Sequence, residues 1–187
     1  MLEATFSQAD VRAWGPPPDW DERAIRAIFR RQARLSVDRM LRVDVAAGVR
    51  FWAVMREHLI PRPVIHELAQ GLVERVLERA LADGVYADFR SLRAIEAKRR
   101  WNARQSSSGV LSTARLHAQE ARETVALHED PRAWHLARTA WTVCDTDARR
   151  AFRASFYSSL DLHGTPADQQ ACVDDVIATL QRLEARQ

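Results

Sequence analysis

The stretch PRPVIHELAQGLVERVLERALADGVYADFRSLRAIEAKRRWNAR, residues 61–104, decides the fold because it contains two helical patterns joined by a short turn. In its first half, apolar side chains recur at steps of three and four residues, which is the period of an α-helix. They are Ile65, Leu68, Leu72, Val76 and Leu77. Pro63 suits the first turn of a helix, and Gly84 suits the left-handed residue that follows the last turn. We therefore predict a helix between Pro63 and Gly84, with one face in the core.

The second half of the stretch has the same period and also contains the densest basic cluster of the chain. Its apolar stripe consists of Phe89, Leu92, Ala94, Ile95, Ala97 and Trp101. Arg93, Arg100 and Arg104 share another face. Arg99 and Lys98 flank that face, and Lys98 is the only lysine of the chain. Such a cluster can bind phosphate, nucleic acid or an acidic protein, although most clusters of this kind are solvated faces.

The composition favours one all-helical domain. The chain has 187 residues, of which 47% are hydrophobic, and this is enough for a core of ordinary size. Alanine, leucine and arginine fill the periodic segments, whereas most prolines and glycines lie between them. We predict an all-α, single-domain bundle of about seven amphipathic helices, mostly antiparallel, and no strand. Within it, residues 1–18 form a short helix and a proline-rich connector, and residues 19–187 form the domain.

Capping signals mark where several helices begin. Ser7 and Asp10 fit a capping box for the first helix, and Asp19 fits a cap for the second. Asp130-Pro131 and Thr165-Pro166 are each a cap followed by a first-turn proline. These signals predict helix starts at four places along the chain.

The segments between these signals contain further helical patterns. We predict helices over residues 41–60 and 111–127, and a mobile loop at the serine-rich run 105–109. Four tryptophans occupy apolar helical positions, so we expect them in the core. They are Trp52, Trp101, Trp134 and Trp141.

The residues offer no motif for catalysis or metal binding. His66-Glu67 begins like the zinc-protease motif, but Gln70 stands where the second histidine would be, so we expect a solvated pair. His128-Glu129-Asp130 is the nearest group to a ligand cluster, and we interpret it as a helix cap. The sequence has no glycine-rich phosphate loop and no G-x-S-x-G. We therefore predict a protein that is not an enzyme, with no catalytic, cofactor-binding or metal-binding residue.

The pattern of hydropathy and cysteine favours the cytoplasm. No segment has the roughly 18 consecutive apolar residues of a membrane span. The first ten residues, MLEATFSQAD, lack a basic region, so we expect no signal peptide. Cys144 and Cys172 match no zinc or redox spacing, which is typical of reduced thiols packed between helices.

A second basic pattern gives an alternative function. Arg23, Arg26, Arg30 and Arg34 recur at helical spacing, as do Arg93, Lys98, Arg100 and Arg104 in the first cluster. If the two faces lay side by side, they would form one positive stripe for nucleic acid. The net charge is only +3, however, and acidic residues lie between the arginines.

The alanine-rich half of the chain resembles a known family. The residues that carry the resemblance are Glu74-Arg75-Val76-Leu77, Arg93-Ala94-Ile95-Glu96-Ala97, Arg99, Trp101 and Asp130-Pro131, within residues 67–144. They are similar to the alanine-rich, all-helical immunity proteins of bacteria. The resemblance implies a helical protein that acts by binding a partner, and it implies no catalytic residue. We predict a non-enzymatic, immunity-like interaction protein whose partner is another protein.

Overall fold

The computed structural model describes residues 1–16, 20–127 and 130–186, except for the side chain of His163. The prediction of an all-α fold is confirmed. Within the described residues the helices number ten rather than about seven, and two three-residue strands are also present. The elements are β1 (Thr5–Ser7), α1 (Gln8–Ala13), α2 (Glu22–Phe29), β2 (Arg34–Ser36), α3 (Val37–Leu41), α4 (Ala47–Val54), α5 (Arg62–Ala82), α6 (Phe89–Asn102), α7 (Ser108–Val125), α8 (Pro131–Val143), α9 (Ala148–His163) and α10 (Pro166–Glu184). No helix in this part of the chain is both long enough and apolar enough to cross a membrane.

The chain forms two compact units. Unit 1 consists of Met1–Pro61 and Val173–Gln187, and unit 2 consists of Arg62–Cys172. The proline-rich connector and the boundary after residue 18 fall at Pro17, Pro18 and Asp19, which lie outside the described residues. The organisation as a connector and a single domain over 19–187 therefore stays a prediction.

Unit 1 contains the two strands that the sequence did not predict. β1 and β2 are antiparallel, and Phe6 stands opposite Leu35. Both side chains are 1% exposed, so each strand contributes one buried residue. Three residues are too few to show the period of a strand, which explains why the pattern was missed. The capping box between Ser7 and Asp10 is confirmed, because each side chain accepts a hydrogen bond from the other residue's backbone N–H.

The second helix is shorter than its arginine pattern predicted. α2 begins after the cap Asp21, whose side chain accepts from the backbone of Ala24, and it ends at Phe29. Arg30 and Arg31 have φ angles of 43° and 68°. Two left-handed residues cannot continue a right-handed helix, so the helix stops here without a glycine.

The helix predicted over residues 41–60 is also interrupted. Residues 42–46 form turns between α3 and α4, and they expose backbone carbonyls that a continuous helix would have used. The buried Arg50 satisfies one of them, because its Nε donates to the Val45 carbonyl at 2.8 Å, and its Nη1 donates to the carbonyl of Leu41, the last residue of α3, at 3.0 Å. A buried carbonyl needs such a partner, so Arg50 stabilises the break.

Unit 2 is a bundle in which α5 to α9 pack around one core. α6 packs against α7, α7 against α8 and α8 against α9, and α5 packs against α9. Side chains of Arg90 and Thr124 meet at one end of α6 and α7, and those of Trp101 and Ser108 meet at the other. These contacts show that α6 and α7 are antiparallel, as predicted.

The caps of unit 2 agree with the sequence in two places and correct it in a third. Asp130 caps α8 with Pro131 in the first turn, and Thr165 and Asp168 form reciprocal hydrogen bonds at the start of α10. The predicted loop 105–109 is shorter, because Ser107 caps α7 and the helix begins at Ser108. His128 and Glu129 of the possible ligand cluster lie outside the described residues.

The four tryptophans expected in the core are partly exposed. A cationic side chain lies over each ring, which is a favourable arrangement for an indole at the edge of the core. The pairs and their distances to the ring centre are Arg56 and Trp52 (4.7 Å), Lys98 and Trp101 (4.2 Å), Arg138 and Trp134 (5.4 Å), and Arg122 and Trp141 (4.7 Å).

Candidate functional site

The arginines predicted in unit 1 are exposed, but they do not share one helix face. Arg23 and Arg26 lie on α2, and Arg26 is 3.5 Å from the carboxylate of Glu22. Arg30 follows the helix in a left-handed conformation. Arg34 lies on β2, where its Nε donates to Thr5 Oγ1 at 2.8 Å. The prediction of a continuous helical face through Arg34 is therefore wrong.

Two of the arginines predicted in unit 2 do share a face of α6. This surface, the α6 outer face, consists of the exposed residues Phe89, Arg93, Glu96 and Arg100, which follow one another at helical spacing. Arg104 is exposed just beyond the helix end, with a φ angle of 59°.

The exposed side chains of α6 show that the predicted apolar stripe was partly wrong. Phe89 is 59% exposed and Leu92 is 36% exposed, so neither belongs to the core. The inner side of α6 carries Ser91, Ala94, Ile95 and Lys98. The large exposed apolar side chains that precede α6 are Leu81 and Tyr86, at 50% and 48%. Apolar groups therefore lie at the corner between α5 and α6, beside the basic residues of the α6 outer face.

The prediction that Lys98 contributes to a basic surface is wrong, because its side chain is fully buried. Its Nζ lies 2.9 Å from Nδ1 of His66 and donates to the Asp145 carbonyl at 3.4 Å. The same atom lies 4.2 Å from the centre of the Trp101 ring. Removal of the ammonium from water lowers the pKa of Lys98 from 10.5 to about 8.

His66, expected to be solvated, is 3% exposed and is the partner of this lysine. Burial and then the charges of Lys98 and Arg62 lower its pKa to about 4, so the imidazole is neutral near pH 7. An ammonium only donates hydrogen bonds, so Nδ1 accepts from Lys98 and the ring proton is on Nε2. Nε2 is buried and forms no hydrogen bond of normal geometry among the described residues, although a contact with the Thr146 backbone opposes the fall in the pKa of the ring.

A pocket of about 450 Å³ opens beside this pair. Its lining residues are Arg62, Pro63, His66, Trp101, Asn102, Arg104 and Ser106. Two further buried polar atoms on the lining side chains lack a partner within the described chain, Asn102 Oδ1 and Ser106 Oγ. Asn102 is held in place from its other end, because Nδ2 donates to Gln70 Oε1 at 2.6 Å.

The sequence missed this pocket, although one signal was present. The positions that follow His66 along its own side of α5, Ala69, Val73 and Ala80, are apolar and buried. Small apolar residues on that line indicate that a second helix packs there, which places His66 inside rather than in solvent.

The arrangement offers binding groups rather than an exposed nucleophile. Lys98 is covered, and burial raises the pKa of the nearby Cys144 thiol to about 12, so this cysteine stays protonated. Across the described ranges, no group of three potential metal ligands is assembled. The polar groups of the lining residues are the Nε2–H of His66, a hydroxyl and an amide oxygen, which are all buried, and two guanidinium groups.

Comparison with protein-family models, with curated proteins and with solved structures finds no match to the chain. The resemblance to bacterial immunity proteins stays a prediction.

Proposed function

We propose that this protein is a non-enzymatic interaction protein that binds an acidic partner protein through the α6 outer face. The resemblance to immunity proteins supports the further proposal that binding blocks the partner in the cytoplasm of a bacterium. Both buried cysteines are free thiols, which is compatible with a reducing compartment.

The observation that carries the proposal is the exposure of Phe89 between two arginines. The phenyl ring is 59% exposed, and the guanidinium carbons of Arg93 and Arg90 lie 5.3 Å and 5.9 Å from its centre. An exposed aromatic ring flanked by arginine is typical of the residues that contribute most of the energy of a protein interface. Leu81 and Tyr86 at the neighbouring corner provide further apolar contact area.

The charge of this surface selects an acidic partner. Arg93 and Arg100 are exposed, and no carboxylate of the described chain lies within ion-pair distance of either. Carboxylates of a partner can approach both of them without first displacing an internal partner.

The charge pattern of α6 favours nucleic acid less than it favours an acidic protein. Arg99 is bound to Glu74 at 2.7 Å and to Glu96 at 2.5 Å, so acids lie among the basic residues of α6. A surface that follows a phosphate backbone needs a continuous row of available cations. Lys98, which would have extended the row, is buried.

The test compares matched variants in affinity capture followed by titration with the purified partner. We expect the wild-type protein to retain one acidic protein at a stoichiometric level. Phe89→Ala should weaken the purified complex about 30-fold or more, and Arg100→Glu should weaken it and reduce its salt dependence. Tyr157→Ala and Arg153→Glu are the controls, because they change another exposed aromatic ring and the arginine 5.8 Å from it, on α9.

Two outcomes would overturn the proposal. One is a partner whose affinity is equally insensitive to Phe89→Ala and Tyr157→Ala. The other is retention of DNA or RNA, detected in mobility-shift titrations at two salt concentrations and lost in Arg30→Glu and Arg100→Glu, which would favour the nucleic-acid function.

A further inference from the structure

We propose that the pocket between the start of α5 and the end of α6 binds a small organic anion, with a carboxylate or phosphate group at His66 and a flat apolar body against Trp101. This site is separate from the α6 outer face and does not depend on a partner protein. Its volume of about 450 Å³ suits a ligand of this size.

The first reason is the buried and poorly satisfied donor on His66. The imidazole is 3% exposed and lines the pocket, and its Nε2 forms no hydrogen bond of normal geometry in the described part of the chain, because its contact with the Thr146 backbone falls short of that geometry. The bond from Lys98 to Nδ1, at 2.9 Å, places the proton on Nε2. A buried N–H without an acceptor is unfavourable, and an anionic oxygen in the pocket would satisfy it.

The second reason is the charge around the pocket. Arg62 and Arg104 line it, the ammonium of Lys98 lies directly behind His66, and no carboxylate is among its lining residues. Arg62 donates to the Thr146 carbonyl at 2.6 Å, which fixes the guanidinium near the pocket. Arg62 and Pro63 also begin α5, a helix of 21 residues whose positive end favours an anion.

The third reason is the chemistry of the other residues that line the pocket. The buried oxygens Asn102 Oδ1 and Ser106 Oγ are unpartnered within the described ranges and can bind a ligand hydroxyl or N–H group. The partly exposed indole of Trp101 is fixed because the His66 ring lies edge-on to it, at 4.8 Å between centres. A rigid indole provides a flat surface for an aromatic or planar ligand.

Calorimetric titration of the full chain with phenyl phosphate, benzoate and the neutral analogue benzamide tests the proposal. We expect one of the two anions to bind with a dissociation constant in the millimolar range or below, and benzamide to bind more weakly by about 10-fold or more. Tighter binding of phenyl phosphate would assign a phosphate ligand, and tighter binding of benzoate would assign a carboxylate. The indole N–H resonance of Trp101, identified with Trp101→Phe, should shift during the titration.

Variants locate the site. Arg104→Gln should weaken anion binding about 10-fold, because it removes a charged donor from the rim. Arg182→Gln is the matched control, because Arg182 is exposed on α10 and belongs to neither proposed surface, and it should leave the affinity unchanged. Arg104 is exposed and lies outside the helix, so its replacement is compatible with folding. Ser106→Ala removes the hydroxyl and His66→Asn removes the imidazole N–H while it keeps an acceptor for Lys98, and each should weaken anion binding.

The proposal would be overturned if neither anion binds, or if benzamide binds as tightly as they do. Equal losses in Arg104→Gln and Arg182→Gln would also overturn it, because they would indicate attraction by overall charge rather than a site. These outcomes leave the protein-partner proposal unaffected, because that proposal is decided by Phe89→Ala.

Discussion

The Nζ atom of Lys98 lies 2.9 Å from Nδ1 of His66, and both side chains are buried in unit 2. Two basic groups in contact cannot easily both be positively charged, so the pair carries a single positive charge near pH 7. The lysine keeps it, since the pKa of Lys98 is about 8 and that of His66 is about 4. This division determines the tautomer of His66 and therefore which of its ring nitrogens carries the N–H.

Replacement of the lysine should change the titration of the histidine. In Lys98→Met, the charge that helps to lower the pKa of His66 is absent, whereas burial, the larger cause, remains. We expect the pKa of His66 to rise from about 4 but to stay below 6.5. Titration of the imidazole resonances by NMR measures it directly. An unchanged pKa in the folded variant would show that the two groups are not coupled.

Acid should destabilise the wild-type protein before most carboxylates titrate. The folded-state pKa of His66 is about 4 and its ordinary value is 6.5, so the unfolded chain binds the proton first as the pH falls. The free energy of unfolding is therefore highest above pH 6.5 and decreases progressively towards pH 4, by at most about 3 kcal/mol. Denaturant unfolding at several pH values checks this, and Lys98→Met should show a smaller loss over the same interval.

Above pH 8, loss of the Lys98 proton should raise the free energy of unfolding. The pKa of Lys98 is lowered from 10.5 to about 8, so above pH 8 the folded protein loses the proton while the unfolded chain keeps it. The free energy of unfolding should increase by about 1 kcal/mol for each pH unit in this interval. Cys144 acts oppositely above pH 9, because its pKa rises from 9.0 to about 12 in the folded state. Between pH 8 and 9 the effect of the lysine is the larger of the two, and Lys98→Met should show no increase.

The helix termini were the part of the fold that could best be predicted. A cap such as Asp130 with Pro131 acts through local hydrogen bonds, which depend on a few neighbouring residues. β1 and β2 instead pair across about thirty residues, and each has only three, so no local pattern marks them. The left-handed residues Arg30 and Arg31 ended a helix that their side-chain types would have allowed to continue.

The candidate site could be predicted only in part. Arg93 and Arg100 share a face because helical spacing is a local property. The burial of Lys98 depends on contacts with α5 and with Asp145, which lies 47 residues away. A basic residue at helical spacing is usually exposed, so tertiary packing overrode that expectation here.

The cap at Ser107 gives a local test of the corrected boundary of α7. Its side chain accepts a hydrogen bond from the backbone of Val110, which otherwise has no partner in the first turn. Ser107→Ala should lower the free energy of unfolding by about 1 kcal/mol. Ser112→Ala is the control, since Ser112 is exposed inside the same helix and alanine is the better helix former. Equal effects of the two changes would place the start of the helix elsewhere.

Two glycines, one inside α5 and one just after it, should respond to alanine in opposite directions. Gly71 lies inside the helix, and a Cβ there would only approach the Arg75 side chain at 3.8 Å, which is ordinary contact. Gly71→Ala should therefore stabilise the protein by about 0.5–1 kcal/mol, because alanine loses less backbone entropy in a helix.

Gly84 follows the helix with a φ angle of 74°, which costs an L-residue about 1–2 kcal/mol. Gly84→Ala should destabilise the protein by about that amount, although a Cβ would meet no atom within 4 Å. Thermal and denaturant unfolding of both variants against the wild type measures the two effects. A destabilising Gly71→Ala would mean that α5 is not regular at that residue, and a neutral Gly84→Ala would mean that the left-handed turn is not what ends the helix.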